Sequence, residues 1–324
     1  MPHWATRRRS VLLAGLLAPK LARAAWPEQP VRIVSPAAPG DGGDTLGRVL
    51  AAEFEKVFNR PFVVENRTGA GGRVASDFVA HAAPDGYTLM VANAGSHGIN
   101  GAIYRSLPFD LVRDFTPITL LLEAPSVLVV NARTLPVRSL AEFMAKAREA
   151  PGGLAYASGG VGGSSHMSME LFRARTGIEM VHVPFRGAGG AVTALTAGEP
   201  AAMFVNLPSV LGALNRGDLR ALAVTSLTRA PELPEVPTLD EAGVPGYETI
   251  AWFGLVAPAG VPPAVVETIR RETQRAIESP EVVERLRNVG GTLRTSTPQE
   301  FSERIAQDVA MWRRVVAERG LTLE

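Results

Sequence analysis

The sequence predicts an α/β protein of two lobes, each a mainly parallel sheet flanked by helices. Three observations carry that reading. Short apolar runs alternate with segments of helical spacing, the grammar of strands covered on both faces by helices. At 324 residues the chain exceeds one ordinary domain and suffices for two cores. Glycine-rich turns join strand to helix at residues 36–44, 158–166 and 186–190, so the pattern recurs in both halves.

Composition narrows the class. Apolar residues make up 46% and charged residues 20%, as in a globular protein. The absence of cysteine excludes disulfides, thiolate catalysis and zinc–thiolate sites in this chain. Only Lys20, Lys56 and Lys146 among the 33 basic residues are lysine, an arginine bias that reads as genomic, and no nucleic-acid partner is expected.

Residues 1–24 read as an export signal. Arg7, Arg8 and Arg9 precede an apolar run over residues 11–18, and Ala22-Arg23-Ala24 supplies a small-x-small cleavage site. That run is too short to span a bilayer, so the mature chain is not expected to be membrane-spanning. Arg8-Arg9-Ser10-Val11-Leu12 fits either a twin-arginine signal or an arginine-rich secretory one. Cleavage removes five bases and no acids, which leaves a mildly acidic exported protein.

In the first lobe, Val31, Ile33 and Val34 mark a buried strand. Pro39 and Gly40 break it, and a helix follows with Asp44 as its expected N-cap and Leu46, Leu50, Phe54, Val57 and Phe58 on one face. A helix start behind glycines leaves N–H groups and the positive dipole end free for an anion. Residues 61–65 are a second strand, Val74, Phe78 and Val79 a short helix, and residues 87–92 a third strand that runs into the polar segment 93–100. The apolar stretch 118–130 is too long for one ordinary strand and carries Pro125, which predicts a crossing between lobes there.

The second lobe repeats the pattern. Ser139 and Glu142 form a capping-box pattern, residues 154–157 a strand, and Met167, Leu171 and Phe172 a helix closed by Gly177. Residues 179–185, 200–206 and 219–225 are further strands, with Thr238 and Glu241 capping a short helix in the proline-dotted run 231–245. Residues 252–258 return as a strand of the first lobe. Helices follow over 262–279, 280–289 and 297–319, the last with Thr297, Pro298 and Glu300 at N-cap, N1 and N3.

Ligands of open α/β sheets bind at the carboxyl ends of the strands, so the three glycine loops should face one region if the lobes face each other. What they offer is hydrogen-bond donation from backbone N–H groups, Ser158, Ser164, Ser165 and Asn206, which suits a carboxylate. Any one such loop is ordinary turn chemistry; its recurrence argues for a site. Catalytic patterns are weak: no Gly-x-Ser-x-Gly elbow and no P-loop occur, and the glycines from Gly187 make an incomplete dinucleotide fingerprint. His81, His97, His166 and His182 lack ligand-like spacing, so neither metal nor cofactor is expected. His182 reads as a core residue of an apolar strand, and His166 as a hydrogen-bonding residue in a helix's first turn.

Longer strings carry a family resemblance. Trp26-Pro27, Pro39-Gly40 with Asp44 and Arg48, Val64-Glu65-Asn66-Arg67 with Gly69 and Gly72, and Pro84-Asp85-Gly86-Tyr87 resemble the Bug family. These are the TctC-type extracytoplasmic receptors of tripartite tricarboxylate transporters. Further matches are Ser158 to His166, His182-Val183-Pro184-Phe185-Arg186-Gly187, Val236-Pro237-Thr238 and Gly254-Leu255-Val256-Ala257-Pro258, in register over nearly the whole mature chain. The resemblance implies a type II periplasmic binding protein with the first lobe at residues 25–123, the second at 124–247, and a return to the first at 248–324. It implies a small carboxylate ligand, an integral membrane permease as partner, and a monomeric periplasmic receptor without enzymatic activity. By position it implies ligand contacts from Pro39, Gly40, Asp44, Ser96 and His97 in the first lobe and from Ser158, Gly159, Ser164, His166, Arg186, Gly187 and Asn206 in the second.

Two positions depart from that pattern. Asp41 stands where glycine is usual and Arg186 where lysine is common. The first brings a negative charge near the expected anion site, and the second keeps the charge but offers a forked grip. Two alternatives remain open from the residues: an exported serine hydrolase using Ser164 or Ser165 with His166, and a ligand sensor that docks on a membrane kinase.

Overall fold

A computed structural model describes residues 26–321. The export segment expected at residues 1–24 lies outside the described residues. The first lobe begins with β1 (Val31–Ser35), α1 (Gly42–Phe58), β2 (Phe62–Asn66), α2 (Arg73–Ala80) and β3 (Thr88–Asn93). A π-helical turn over Gly95–Ile99 then runs directly into the short α3 (Asn100–Ile103), so the polar segment after β3 is helical and buried. β1 pairs in parallel with both β2 and β3.

Next comes β4 (Phe115–Asn131), a single strand of 17 residues. The stretch that reads as too long for one strand is nonetheless one, and the pairing explains why. Up to Pro125 the strand pairs antiparallel with β9 (Ile250–Pro258), and from Ser126 onward it pairs with β7 (Ala202–Asn206) and β8 (Leu219–Val224). Pro125, opposite the first residue of β9, sits where one partner ends and the next begins, a place where a missing N–H costs little. At about 3.3 Å per residue the strand runs roughly 55 Å and belongs to both lobes.

The second lobe is completed by α4 (Leu140–Glu149), β5 (Leu154–Ser158), α5 (Ser164–Thr176), β6 (Met180–Pro184), α6 (Ala188–Ala197) and α7 (Leu211–Asn215). β5 lies parallel between β6 and β7. After β9 come α8 (Pro263–Glu278), α9 (Pro280–Leu286), β10 (Thr292–Leu293) against β4, and α10 (Pro298–Arg319). The strand order β2-β1-β3-β9-β4-β7-β5-β6 is thus a mixed sheet in which each lobe contributes three parallel strands.

Both faces of each lobe are covered, which is why the strands read as continuous apolar runs rather than alternating ones. In β3, Leu89 and Val91 pack with Leu46, Leu50 and Ile269 on one face, while Met90 and Ala92 pack with Trp252 and Phe301 on the other. In the distal half of β4, Leu128 and Val130 join Tyr156, Phe172 and Phe204, while Val127 and Val129 join Leu195 and Met203.

Caps and turns follow the sequence with three corrections. α10 has the full capping box of Thr297 and Glu300, with Pro298 at its first position. Asp44 is not the N-cap of α1; that position is Asp41, and Asp44 lies inside the first turn. The Thr238–Glu241 reciprocal bonds form as expected, at 3.0 Å each way, but they close a turn rather than a helix. Third, α10 does not pack with the first lobe alone. Its Phe301, Ile305 and Val309 join the first-lobe core, and its Trp312, Val315 and Val316 join the core of the second.

A tight crossing lies where α10 passes β9. Gly254 is covered by the Phe301 ring, and a β-carbon there would overlap that ring and come within 2.9 Å of the Thr119 carbonyl oxygen. Gly254→Ala is therefore expected to destabilise the fold by about 1–3 kcal/mol, because neither backbone nor buried ring can yield freely. Urea unfolding checks this as a lowered midpoint with an unchanged slope.

Candidate functional site

The direction of β4 decides where the strand ends point. It leaves the first lobe parallel to β1, β2 and β3 and enters the second antiparallel to β7, and hence to β5 and β6. The carboxyl ends of all six parallel strands therefore meet at the crossing. There lies a cleft of about 1070 Å³ walled by both lobes.

Three helix N-caps line this cleft: Asp41 of α1, Gly163 of α5 and Gly187 of α6. None is closed by a side-chain cap, so the first N–H groups and the positive dipole ends of three helices face one space. The last residues of two parallel strands, Asn93 of β3 and Asn206 of β7, add side-chain amides from opposite lobes. Phe253 and the loop from Thr68 to Gly71 complete the first-lobe side, and Ser164 and Arg186 the second. Asp41 and Arg186 are the two ionisable side chains in this wall, one from each lobe.

The expected contact residues fall into two groups. Gly159, Ser164, Arg186, Gly187 and Asn206 line the cleft. Pro39, Gly40, Asp44, Ser96, His97, Ser158 and His166 are not in its wall, and most of them serve to hold it. Asp44 is buried and accepts from Gly40 N–H and from Arg48 Nε at 2.9 Å, and from Asn66 Nδ2 at 2.8 Å. Burial pushes its carboxyl up, but these bonds outweigh burial and hold it below the ordinary range. Gly40 N–H is thereby spent on Asp44 and is not a free donor. Ser96 Oγ accepts from Asn93 N–H at 3.0 Å and Asn93 Oδ1 from Ser96 N–H at 2.9 Å, which fixes the end of β3.

In the second lobe a buried polar layer supports the loop of residues 159–163. Ser165 Oγ accepts from Gly159 N–H at 3.0 Å, Ser158 Oγ from Gly160 N–H at 3.1 Å, and His166 Nδ1 from Gly162 N–H at 3.1 Å. Ser158 Oγ lies 2.6 Å from His182 Nε2, and the His182 ring lies nearly parallel to those of Tyr156 and His166, with centroids 4.9 Å and 4.1 Å away. Beneath it Glu170 accepts from Tyr156 at 2.7 Å and from Arg173 at 2.6 Å. Gly159 is required by close approach: a β-carbon would sit 3.1 Å from the backbone nitrogen of Ala188.

Comparison with known proteins agrees with this geometry. Residues 46–321 match the model of the tripartite tricarboxylate transporter family receptor. The chain belongs to that family. Protein BugT of Bordetella pertussis is 35% identical over 97% of this chain and 96% of its own length. Among solved structures, Rpa4515 of R. palustris with adipate superposes with a TM-score of 0.81 at 34% identity, covering 92% of this chain and 99% of that one. MatC (Rpa3494) from Rhodopseudomonas palustris with bound malate gives 0.79 at 34% identity, covering 90% and 100%. The fold is that of a periplasmic binding protein, and the family consists of periplasmic solute receptors. No helix among the described residues is long and apolar enough to cross a membrane.

In this receptor the serine–histidine arrangement considered from the sequence does not form. His166 Nδ1 is taken by Gly162 N–H, its Nε2 faces Glu170 at 4.0 Å, and Ser165 Oγ is taken by Gly159. Sequence reasoning also misplaced His182, which is a half-buried polar contact of Ser158 and not a core residue. It missed Asn93, Phe253 and the loop from Thr68 to Gly71. Asn93 ends an apolar strand just as Asn206 does, and that likeness was the available signal.

The buried imidazoles make the receptor acid-sensitive. Burial, then the neighbouring His182, pushes His166 down to about 4; burial pushes His97 down to about 3 and lowers His182. A depressed folded value means that the unfolded chain binds the extra protons. The stabilisation is complete above the ordinary value of 6.5 and is lost as pH falls through about 4 for His166. Urea midpoints should drop between pH 7 and pH 4, His166 accounting for on the order of 2–3 kcal/mol. His166→Asn, which keeps an acceptor for Gly162, should flatten that part of the curve.

Proposed function

We propose that this chain is an extracytoplasmic receptor that takes a small carboxylate into the cleft between its lobes and delivers it to the integral membrane permease of a tripartite tricarboxylate transporter. The observation that carries the reading is the convergence of three uncapped helix N-termini, from both lobes, on one space with Arg186 in its wall. Such donors match a carboxylate, and the bound acids in the names of two related structures, adipate and malate, support that ligand class. We assign the first lobe to residues 25–123, the second to 124–247 and the return to 248–324. The working protein is a monomer exported to the periplasm by its N-terminal segment, in which Arg8 and Arg9 fit either a twin-arginine or an arginine-rich secretory signal.

The mechanism is closure. A cleft of about 1070 Å³ is wider than a small acid needs, so a ligand held by one lobe leaves the donors of the other solvated. Bringing the lobes together expels water and strengthens each N–H bond in the lower dielectric. The acid shifts the open–closed equilibrium by its preference for the closed form alone, so recognition and the signal to the permease are one event. Arg186 gives the acid a bidentate partner. Gly40 with Asp44 and Ser96 act by fixing the first-lobe turns that present Asp41 and Asn93, and Ser158 and His166 by fixing the second-lobe loop of residues 159–163.

Arg186→Ala should weaken carboxylate binding by about 10–100-fold, the loss of one charge-assisted bond, with the melting temperature unchanged. Ser158→Ala should weaken it less, by loosening the loop of residues 159–163. Calorimetry against glutarate, adipate, malate and benzoate reads both. Unchanged affinity in the Arg186 variant would remove the guanidinium from the site.

A further inference from the structure

The cleft is not the uniformly positive site that a receptor for plain acids needs. Asp41 stands in its wall, exposed, at the N-cap position of α1, yet its carboxylate caps nothing. An N-cap aspartate ordinarily accepts from the second or third N–H of its helix. Here the first turn is organised by Asp44 instead, whose oxygens take Gly40, Arg48 and Asn66. Asp41 is therefore left with a full charge and no local task. Arg186, on the opposite lobe, is in the same condition: it lines the cleft and is engaged in no hydrogen bond or ion pair among the described residues. The remaining cleft wall is glycine, alanine, proline, serine, threonine, asparagine, tryptophan and phenylalanine.

A dianion drawn into this space would meet Arg186 and the helix N-termini with one end and Asp41 with the other. Closing the lobes around it would bury like charges together, which is strongly unfavourable once water is expelled. A ligand with one carboxylate and one ammonium group meets no such penalty. Its carboxylate takes Arg186 and the N–H groups of α5 and α6, and its ammonium takes Asp41. Each lobe then holds one end, so the full grip forms only on closure.

Resting on the carboxylate-receptor reading, we infer that Asp41 makes this receptor selective for zwitterionic acids, an amino acid or an ω-amino acid, over dicarboxylates of the same length. The rival role is a latch in which Asp41 and Arg186 pair directly on closure and the ligand touches neither charge.

The test is calorimetric titration of the mature protein, wild type and Asp41→Asn, with matched pairs: γ-aminobutyrate against glutarate and δ-aminovalerate against adipate, with glutamate as a third amine-bearing probe. Asparagine is as good an N-cap residue as aspartate, so the fold is preserved, and circular dichroism melting checks it. Selectivity predicts that the wild type binds an amine-bearing probe at least about tenfold more tightly than its dicarboxylate match. It also predicts that Asp41→Asn reverses the order, by weakening the amine-bearing probe and strengthening the dicarboxylate. A wild type that prefers dicarboxylates overturns the inference and leaves the receptor reading intact. A variant that weakens every probe equally overturns it in favour of the latch. Binding of no probe from either class, by wild type or variant, overturns the receptor reading and the inference together.

Discussion

Everything about this site depends on one strand keeping its direction through two sheets. Because β4 is continuous, its polarity is a shared reference: parallel to the strands it leaves, antiparallel to the strand it joins. A chain that broke and re-entered the second sheet from its other end would place the carboxyl ends of β5, β6 and β7 far from those of β1, β2 and β3. No cleft lined by helix starts from both lobes would then exist. The crossing is fixed by buried hydroxyls: Ser126 N–H donates to Thr225 Oγ1 at 2.8 Å, Thr225 N–H donates back to the Ser126 carbonyl oxygen at 2.9 Å, and the Thr225 hydroxyl donates to the Thr249 carbonyl oxygen. Those three residues are where β4 enters the second lobe and where the chain turns into β9. Directional bonds of this kind hold strand register at the crossing.

The wall of the cleft and its backing obey different chemistry. The wall is mostly backbone and small side chains, which lets N–H groups approach a ligand and leaves specificity to a few residues. The backing is rich in side-chain polar groups, each satisfied by the loop it supports. Ser165, Ser158 and His166 take the N–H groups of Gly159, Gly160 and Gly162, a stretch whose one side chain, Val161, is exposed and anchors nothing. Glycine gives that loop its shape, and the buried layer removes the conformational freedom that glycine would otherwise keep. Below it, Glu170 stays ionised although burial pushes it up, because Tyr156 and Arg173 donate to it and Arg319 of α10 approaches at 3.3 Å. The C-terminal helix thus reaches the underside of the second-lobe loop while its first half is rooted in the first lobe.

Much of the fold was legible from the sequence because both sheets are covered on both faces. That constraint produces short, wholly apolar strands bounded by glycine, and helices with one apolar face. What escaped was whatever depends on partners far along the chain. Pro125 looks like a break to any local reading; only the handover from β9 to β7 shows that its missing N–H has nothing to pair with. Asp44 looks like a cap because it precedes Leu46, but Asn66 and Arg48 draw its carboxylate inward, and Asp41 takes the position. The glycine loops marked the region of the cleft, and five of the twelve expected contacts stand in its wall. The other seven do not, because spacing along a strand or loop cannot distinguish a residue facing the cleft from one holding the loop from behind. His182 illustrates the limit: alternation placed it inward, and only the meeting of β5 with β6 sets it against Ser158.

The helix starts and the charged pair contribute to recognition in different ways. Helix dipoles and N–H groups are fixed and always positive in the direction of the cleft, so they favour any anion and distinguish poorly between anions. Selection must then come from groups that oppose something. In this wall that function falls to Asp41, since every other first-lobe contact is neutral. An acid at the rim of an anion site would be a defect if the site were made to bind charge alone. It becomes a selective element once both lobes must close on one molecule, because unfavourable burial of the wrong charge is what separates ligands of equal size and shape.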